Sequence, residues 1–417
     1  MLKIIKDLSP AFGVVTALIF GLGFIAANNE PLLTALKAHF SLNWTQALLI
    51  QIIGLVANGI VAIPAAILLG RIGSSKTIII ALCFMLIACL SLQISFVTHN
   101  YIFILCALFI MASGLSTLQV ASNPLIAVLG HEDFSHFRLT LAQTFNSLGV
   151  VIGVHFGTKL LLSPELLKPN IIGDIIQSDK ILNAVSKGYM VIGILVALLI
   201  IMIICNARQI DVASKVLKQD NPQNIFSTLK EKWAVFGAIA IGLYVGAEVS
   251  IASVMINFLG QSEILGLSTQ SAGSMLAYIY WGGALIGRFL GSAILTRVRA
   301  PLLLIVCGIS AAILCLIVIL KTGPLAGYAA LGVGLFNSIM FPIIFTMTLR
   351  RTNSPQPAIS GLLCLAISGG ALLALGVGRI ADIANLNLAF IVPMIAYLFI
   401  FAFAMIGNKV KPTRLAK

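Results

Sequence analysis

Twelve apolar runs follow one another along the chain, near 11–36, 43–69, 75–98, 101–129, 137–162, 183–206, 232–259, 268–296, 299–320, 323–349, 355–381 and 386–407. A helix of about 20 apolar residues crosses a hydrocarbon core of roughly 30 Å. Irregular backbone cannot face lipid, so the runs are predicted to be helices. The longest strongly polar stretch, "NARQIDVASKVLKQDNPQNIFSTLKEKW", separates the sixth run from the seventh. The pattern predicts an all-α membrane protein: twelve transmembrane helices in two six-helix, pseudo-symmetric halves. The N-terminal bundle spans 1–206, a cytoplasmic linker 207–231 and the C-terminal bundle 232–417. The longer, mildly amphipathic loop near 163–182 is expected at the opposite surface.

Composition agrees with the pattern. The 417 residues are 59% apolar and 9% charged, where a soluble domain carries about 25% charged residues. The net charge of +13 forms no basic stripe, so no nucleic-acid partner is implied. With the N-terminus inside, the inner segments hold 18 Lys and Arg and the outer ones 7, with Arg288 alone inside a span. Positive loops stay cytoplasmic, so both termini are expected in the cytoplasm. The seven cysteines sit in or beside apolar runs without metal spacing and read as packing residues. The run after Lys3 and Lys6 lacks a small-residue cleavage site and reads as a first span.

The halves echo each other. Span 4, "GLSTLQVASNPLIAVL", and span 10, "GLFNSIMFPIIFTMTL", both open on Gly-Leu, carry polar groups mid-helix and place a proline toward one end. Twelve spans in parallel halves point to a secondary transporter with its site near the bilayer midplane. Span 5 carries Gly149, Gly153 and Gly157, and span 8 carries Gly283, Gly287 and Gly291. Such registers let backbones approach closely. They are expected to pair across the interface between the halves.

Polar faces mark the candidate cavity. Gln119, Ser122 and Asn123 share one face of span 4, and Gln143, Asn146 and Ser147 repeat that spacing in span 5. Amides and hydroxyls are costly to bury unpaired. Together with aromatic rings they suit a neutral, polyhydroxylated solute: hydroxyls pair with amides and sugar C–H faces with rings. Tyr278, Tyr280, Trp281, Asn257, Asn337 and Phe341 are the candidates from the C-terminal half. Glu30 in span 1 and Glu248 in span 7 are the intramembrane acids. A carboxylate in apolar surroundings is costly while charged, and binding H⁺ or Na⁺ relieves that cost. Arg71, Arg288, Arg297 and Arg299 fall toward inner ends of spans and read as interfacial anchors or gate contacts.

The stretches "SLNWTQALLIQ", "TLQVASNPLIAVLG", "LTLAQTFNSLG", "YVGAEVSIASVMINFL", "YWGGALIGRFLG", "FNSIMFPIIF" and "ISGGALL" run in order over nearly the whole chain. With them the chain resembles the fucose–proton symporter and glucose/galactose transporter family of the major facilitator superfamily. The resemblance implies a major facilitator fold, alternating access and cation-driven monosaccharide uptake. In that family an acid in span 1, usually Asp after Asn, takes part in coupling. Asn29-Glu30 matches that position with Glu in place of Asp. The fucose branch has an acid in span 4 where this chain has Gln119, which weakens a fucose assignment and leaves Glu30 as the main coupling candidate.

The expected function is cation-coupled import of a monosaccharide or sugar-like solute, with Glu30 and Glu248 coupling to H⁺ or Na⁺. Asn29, Gln119, Asn123, Gln143, Asn146, Asn257, Trp281, Asn337 and Phe341 are the expected substrate contacts. No cofactor beyond the coupling ion is implied, and a monomer in a bacterial inner membrane is expected. An exporter of an amphipathic metabolite or a non-transporting solute sensor is the alternative. No paired catalytic acids, GxSxG or HExxH motif occurs, so no enzyme is expected.

Overall fold

The structure is a computed structural model and describes residues 10–28, 32, 36, 40, 44–98, 100–161, 174–217 and 225–409. Among these, twelve helical segments follow the predicted runs. They are α1 (Pro10–Ala26), α2 (Trp44–Ile72), α3 (Ser74–Thr98), α4 (Tyr101–Val128), α5 (Ser135–Leu161) and α6 (Asp174–Ala213). Next come α7 (Lys232–Gly260), α8 (269–294) and α9 (Ala300–Leu320), then α10 (Gly323–Arg351), α11 (Gln356–Ile383) and α12 (Leu386–Lys409). Ten of the described segments are individually long and apolar enough to cross a membrane. The other two are α1, with 17 residues, and α8, which changes helix type along its length.

Three boundaries differ from the hydropathy pattern, one being the start of α6 at Asp174, inside the loop expected near 163–182. α1 ends at Ala26, with Ala27 and Asn28 in a turn, well before residue 36. α6 continues to Ala213 although its apolar run stops near 206. Its extension, "NARQIDVA", holds good helix formers, and helix propensity does not require hydrophobicity.

Local chemistry sets several turns. The Asn100 side chain caps α4 by accepting from the Ile102 N–H at 2.9 Å. Gly73 follows α2 with φ 88° and donates to the Leu69 carbonyl at 3.0 Å, a left-handed stop that glycine adopts without strain. At the end of α9, the Asn387 amide donates to the carbonyls of Val318 (3.0 Å) and Lys321 (3.2 Å).

The chain divides into two units, each with its own core. One holds the described residues of Leu8–Leu129 and Phe145–Pro222. In it α3 packs on α4 and α6, α2 packs on α4, and α1 lies against α6 and α4. The other holds Gly130–Thr144 and the described residues of Gln223–Lys417. There α7 packs on α10, α11 and α12, while α9 packs on α10 and α12. Large side chains such as Ile60, Leu90, Ile94, Ile102, Leu372 and Leu375 are exposed, as lipid-facing positions must be. Cys89, Cys307, Cys315 and Cys364 pack inside, whereas Cys83, Cys106 and Cys205 are exposed.

The glycine registers act within each half, which corrects the expected pairing of spans 5 and 8. Gly149 and Gly153 meet the backbone of α1 at Phe20 and Phe24. Gly287 and Gly291 meet α10 at Leu335, Ser338 and Ile339. A Cβ on Gly149 would lie 3.0 Å from the Phe24 nitrogen and 3.1 Å from the Phe20 carbonyl carbon. Backbone cannot move aside as a flexible side chain does. Gly149→Ala is therefore expected to destabilise the protein by roughly 1–3 kcal/mol. Gly13→Ala, where nothing lies within 4 Å, serves as the control. Thermal unfolding in detergent checks the pair, and equal unfolding temperatures would contradict the close approach.

Candidate functional site

In the N-terminal half, Asn28 at the end of α1 is buried, and its amide donates to the Phe24 carbonyl at 2.7 Å. Asn29 and Glu30 lie outside the described residues. On α4, Ser122 and Asn123 are buried and Gln119 is half-buried. The Ser122 hydroxyl is buried without a hydrogen-bond partner among the described residues. On α5, Gln143 and Asn146 are half-buried, and Asn146 donates to the Ile19 carbonyl at 3.0 Å. One Asn146 donor thus holds α5 on α1. The close fit needs Gly23, where a Cβ would fall 2.9 Å from the Asn146 amide nitrogen.

The C-terminal half holds a denser polar cluster, built on three local irregularities. First, α8 changes to a π-helix over Leu276–Trp281, where the Gly282 N–H reaches back five residues to the Ala277 carbonyl. Such single-turn insertions shift the side chains that follow and recur at functional sites. Here the insertion carries Tyr280 and Trp281. Second, α10 breaks after Asn337: its helices are Gly323–Asn337 and Met340–Arg351, with Ser338 and Ile339 between. Pro342 has no N–H, so the Ser338 carbonyl lacks its helical donor. Arg288 supplies one instead, its Nε donating to the Ser338 carbonyl at 3.0 Å. Third, α11 is interrupted at Gly369, between Gln356–Ser368 and Gly370–Ile383.

Close backbone contact locks α8 to α10 at this level. A Cβ on Gly334 would lie 2.9 Å from the Tyr280 carbonyl carbon, so only glycine fits. The fully buried Asn337 amide then donates to the Tyr280 hydroxyl at 3.0 Å. That hydroxyl donates to the Glu248 backbone carbonyl at 3.2 Å. Tyr244, one turn before Glu248 on α7, is also buried, as is Tyr397 on α12. Four buried polar atoms of this group, the Tyr244 and Tyr397 hydroxyls, Glu248 Oε1 and Asn337 Oδ1, make no hydrogen bond of good geometry among the described residues; Tyr244 faces Glu248 and Tyr397 faces Asn337 in looser polar contacts. Buried polar groups are normally well satisfied, and a cluster of loosely paired ones can take up water or a polar solute. Arg288 acts electrostatically on the Glu248 carboxylate.

Aromatic rings border the cluster. Trp281 is 42% exposed and meets Tyr280 edge-on, with ring centroids 5.2 Å apart. Phe341 lies 6.4 Å from Tyr244 and 5.7 Å from Phe345. Of the expected residues, Glu248, Trp281, Asn337 and Phe341 come together here. Asn257 does not join them. It lies nine residues beyond Glu248, about half a turn out of phase on a helix of 3.6 residues per turn, and it is exposed.

Sequence reading missed Tyr244, Tyr397 and the role of Arg288, which is a bundle residue rather than an interfacial anchor. Two signals were present. Tyr244 precedes Glu248 by four residues, which puts both on one helical face. Pro342 leaves a carbonyl in need of a donor, and Arg288 is the one basic residue inside a span.

A family model described as Major Facilitator Superfamily matches residues 15–374. The chain belongs to the Major Facilitator Superfamily. It is 38% identical over 414 residues to a glucose/galactose transporter of Brucella abortus, covering 97% of this chain and 95% of that protein. It is 31% identical to the L-fucose-proton symporter of Escherichia coli, covering 94% of this chain and 92% of that protein. Among solved structures it resembles the crystal structure of the major facilitator transporter FucP in the outward conformation. There the TM-score is 0.85 at 28% identity, covering 96% of this chain and 99% of that one. These relatives agree with the family resemblance read from the motifs and with the helical fold.

Proposed function

We propose that this protein imports a monosaccharide or a similar sugar across the membrane by alternating access, coupled to the entry of H⁺ or Na⁺. The observation that carries this reading is the buried polar cluster of Tyr244, Glu248, Tyr280, Asn337 and Tyr397, several of whose atoms lack a hydrogen bond of good geometry among the described residues, bordered by the exposed ring of Trp281. Uncharged donors and acceptors match sugar hydroxyls, and an exposed indole matches a sugar C–H face. The curated relatives named for glucose, galactose and fucose transport support the same substrate class.

In this reading Asn337, Trp281 and Phe341 contact sugar from the C-terminal half, and Asn29, Gln119, Asn123, Gln143 and Asn146 from the N-terminal half. Glu30 carries the coupling cation. Glu248, under the field of Arg288, serves as a second acid. The protein works as a monomer in a bacterial inner membrane with both termini in the cytoplasm, as the 18-to-7 bias of Lys and Arg supports.

A thermal-shift panel of the purified protein tests the substrate class. Glucose, galactose, fucose, amino sugars and linear polyols are compared, each with and without Na⁺. At least one monosaccharide is expected to raise the unfolding temperature, as any ligand that binds only the folded state does. A shift confined to apolar amphipathic solutes would contradict the sugar reading.

A further inference from the structure

A cavity of about 390 Å³ lies within the C-terminal unit, where the ends of α10 and α12 meet the turn between α8 and α9. Its charged lining is one-sided. Arg297, Arg299, Arg350, Arg351 and Lys409 face a single acid, Asp133. Asp133 is already engaged by Arg350 Nη2 at 3.2 Å. It can offset about one of the five cations.

The basic groups differ in what they do. Arg351 donates to the Gly407 carbonyl at 2.8 Å and lies 5.8 Å from the centre of the Trp233 ring. It therefore belongs to the wall. Arg350 keeps a buried Nε that has no hydrogen-bond partner among the described residues. Arg297 and Arg299 are exposed and have no carboxylate within ion-pair distance among the described residues. Arg299 is also the N-cap of the 21-residue α9 and makes no side-chain capping bond, so the positive end of that helix dipole opens on the same cavity.

The geometry points to a binding site for a phosphate-bearing anion in this cavity. Clustered guanidinium groups repel one another, and an anion between them turns that repulsion into attraction. Guanidinium forks match the oxygens of a phosphate in bidentate fashion. The buried Arg350 Nε would gain the acceptor it lacks, and the α9 terminus favours negative charge. The volume falls within the range of small-ligand pockets. The same chemistry is offered by the headgroup of an anionic lipid and by a soluble phosphate. The site lies apart from the Tyr280–Asn337 cluster and does not depend on the sugar reading.

Two arms separate the sources. In nanodiscs of phosphatidylcholine, the full-length protein is titrated with inorganic phosphate and with glucose 6-phosphate, with Trp fluorescence as readout, since Trp233 lies beside Arg351. In nanodiscs containing phosphatidylglycerol, native mass spectrometry counts the lipids that stay bound. Each arm is run on wild type, on Arg297→Gln/Arg299→Gln and on Lys409→Gln, all exposed positions whose loss leaves the core untouched. Saturable phosphate binding weakened about tenfold in the double variant would identify a soluble ligand. Retained phosphatidylglycerol that the double variant loses would identify a lipid headgroup. Either result supports the site. Binding unchanged in both variants, or reproduced by chloride at equal ionic strength, would overturn it.

Discussion

Arg288→Met is expected to destabilise the protein by roughly 2–3 kcal/mol and to abolish sugar transport. The substitution keeps most of the side chain's length, so little packing is lost. It removes the donor that holds the Ser338 carbonyl, which Pro342 has already deprived of its helical bond. An orphaned buried carbonyl costs about 1–3 kcal/mol. It also leaves Glu248 without the positive field of Arg288. The break in α10 and the π-segment of α8 face each other through Gly334 and Gly287, so the loss reaches the Asn337–Tyr280 bond directly. A second substitution, Glu248→Gln, removes the uncompensated carboxylate and is expected to restore part of the stability but not the transport. Thermal unfolding and tracer uptake read both effects. Wild-type stability and uptake in Arg288→Met would return this residue to the role of a surface anchor.

The other large effect is expected at Glu30. A carboxylate held in apolar surroundings is expensive to leave charged, and a bound cation relieves that expense. If cation occupancy sets which face of the carrier opens, fixing the site in a neutral form removes the coupling but not the passage of sugar. Glu30→Gln mimics the protonated state. It is expected to lose concentrative uptake by at least about tenfold, equivalent to about 1.4 kcal/mol of gradient. Sugar-for-sugar exchange, which needs no net cation movement, should persist.

The membrane spans were legible because each is a run of about 20 apolar residues and nothing else in a protein looks like that. The ends were less legible where helix and hydropathy part company, as in the polar last turns of α6. The intramembrane acid Glu248 and the amide Asn337 stood out because polar groups are rare in such runs. Tyr244, Tyr397 and Arg288 did not, because tyrosine is common at many depths and a single arginine near a span end looks like an anchor. Only the break in α10 shows what Arg288 holds. The glycine registers announced close packing correctly, yet a repeat of small residues does not say which helix it meets. Asn257 stands apart from the cluster on helical phase: nine residues carry it to the far side of α7 from Glu248.

Proteoliposomes preloaded with buffer, given an inward H⁺ or Na⁺ gradient and external labelled sugar, test the coupling most directly. The wild type should concentrate the sugar above the outside level until an ionophore collapses the gradient. Glu30→Gln should only equilibrate it while still exchanging labelled for unlabelled sugar. Wild-type uptake that stops at equilibrium whatever gradient is imposed, or full concentration by Glu30→Gln, would contradict cation-coupled import through this carboxylate.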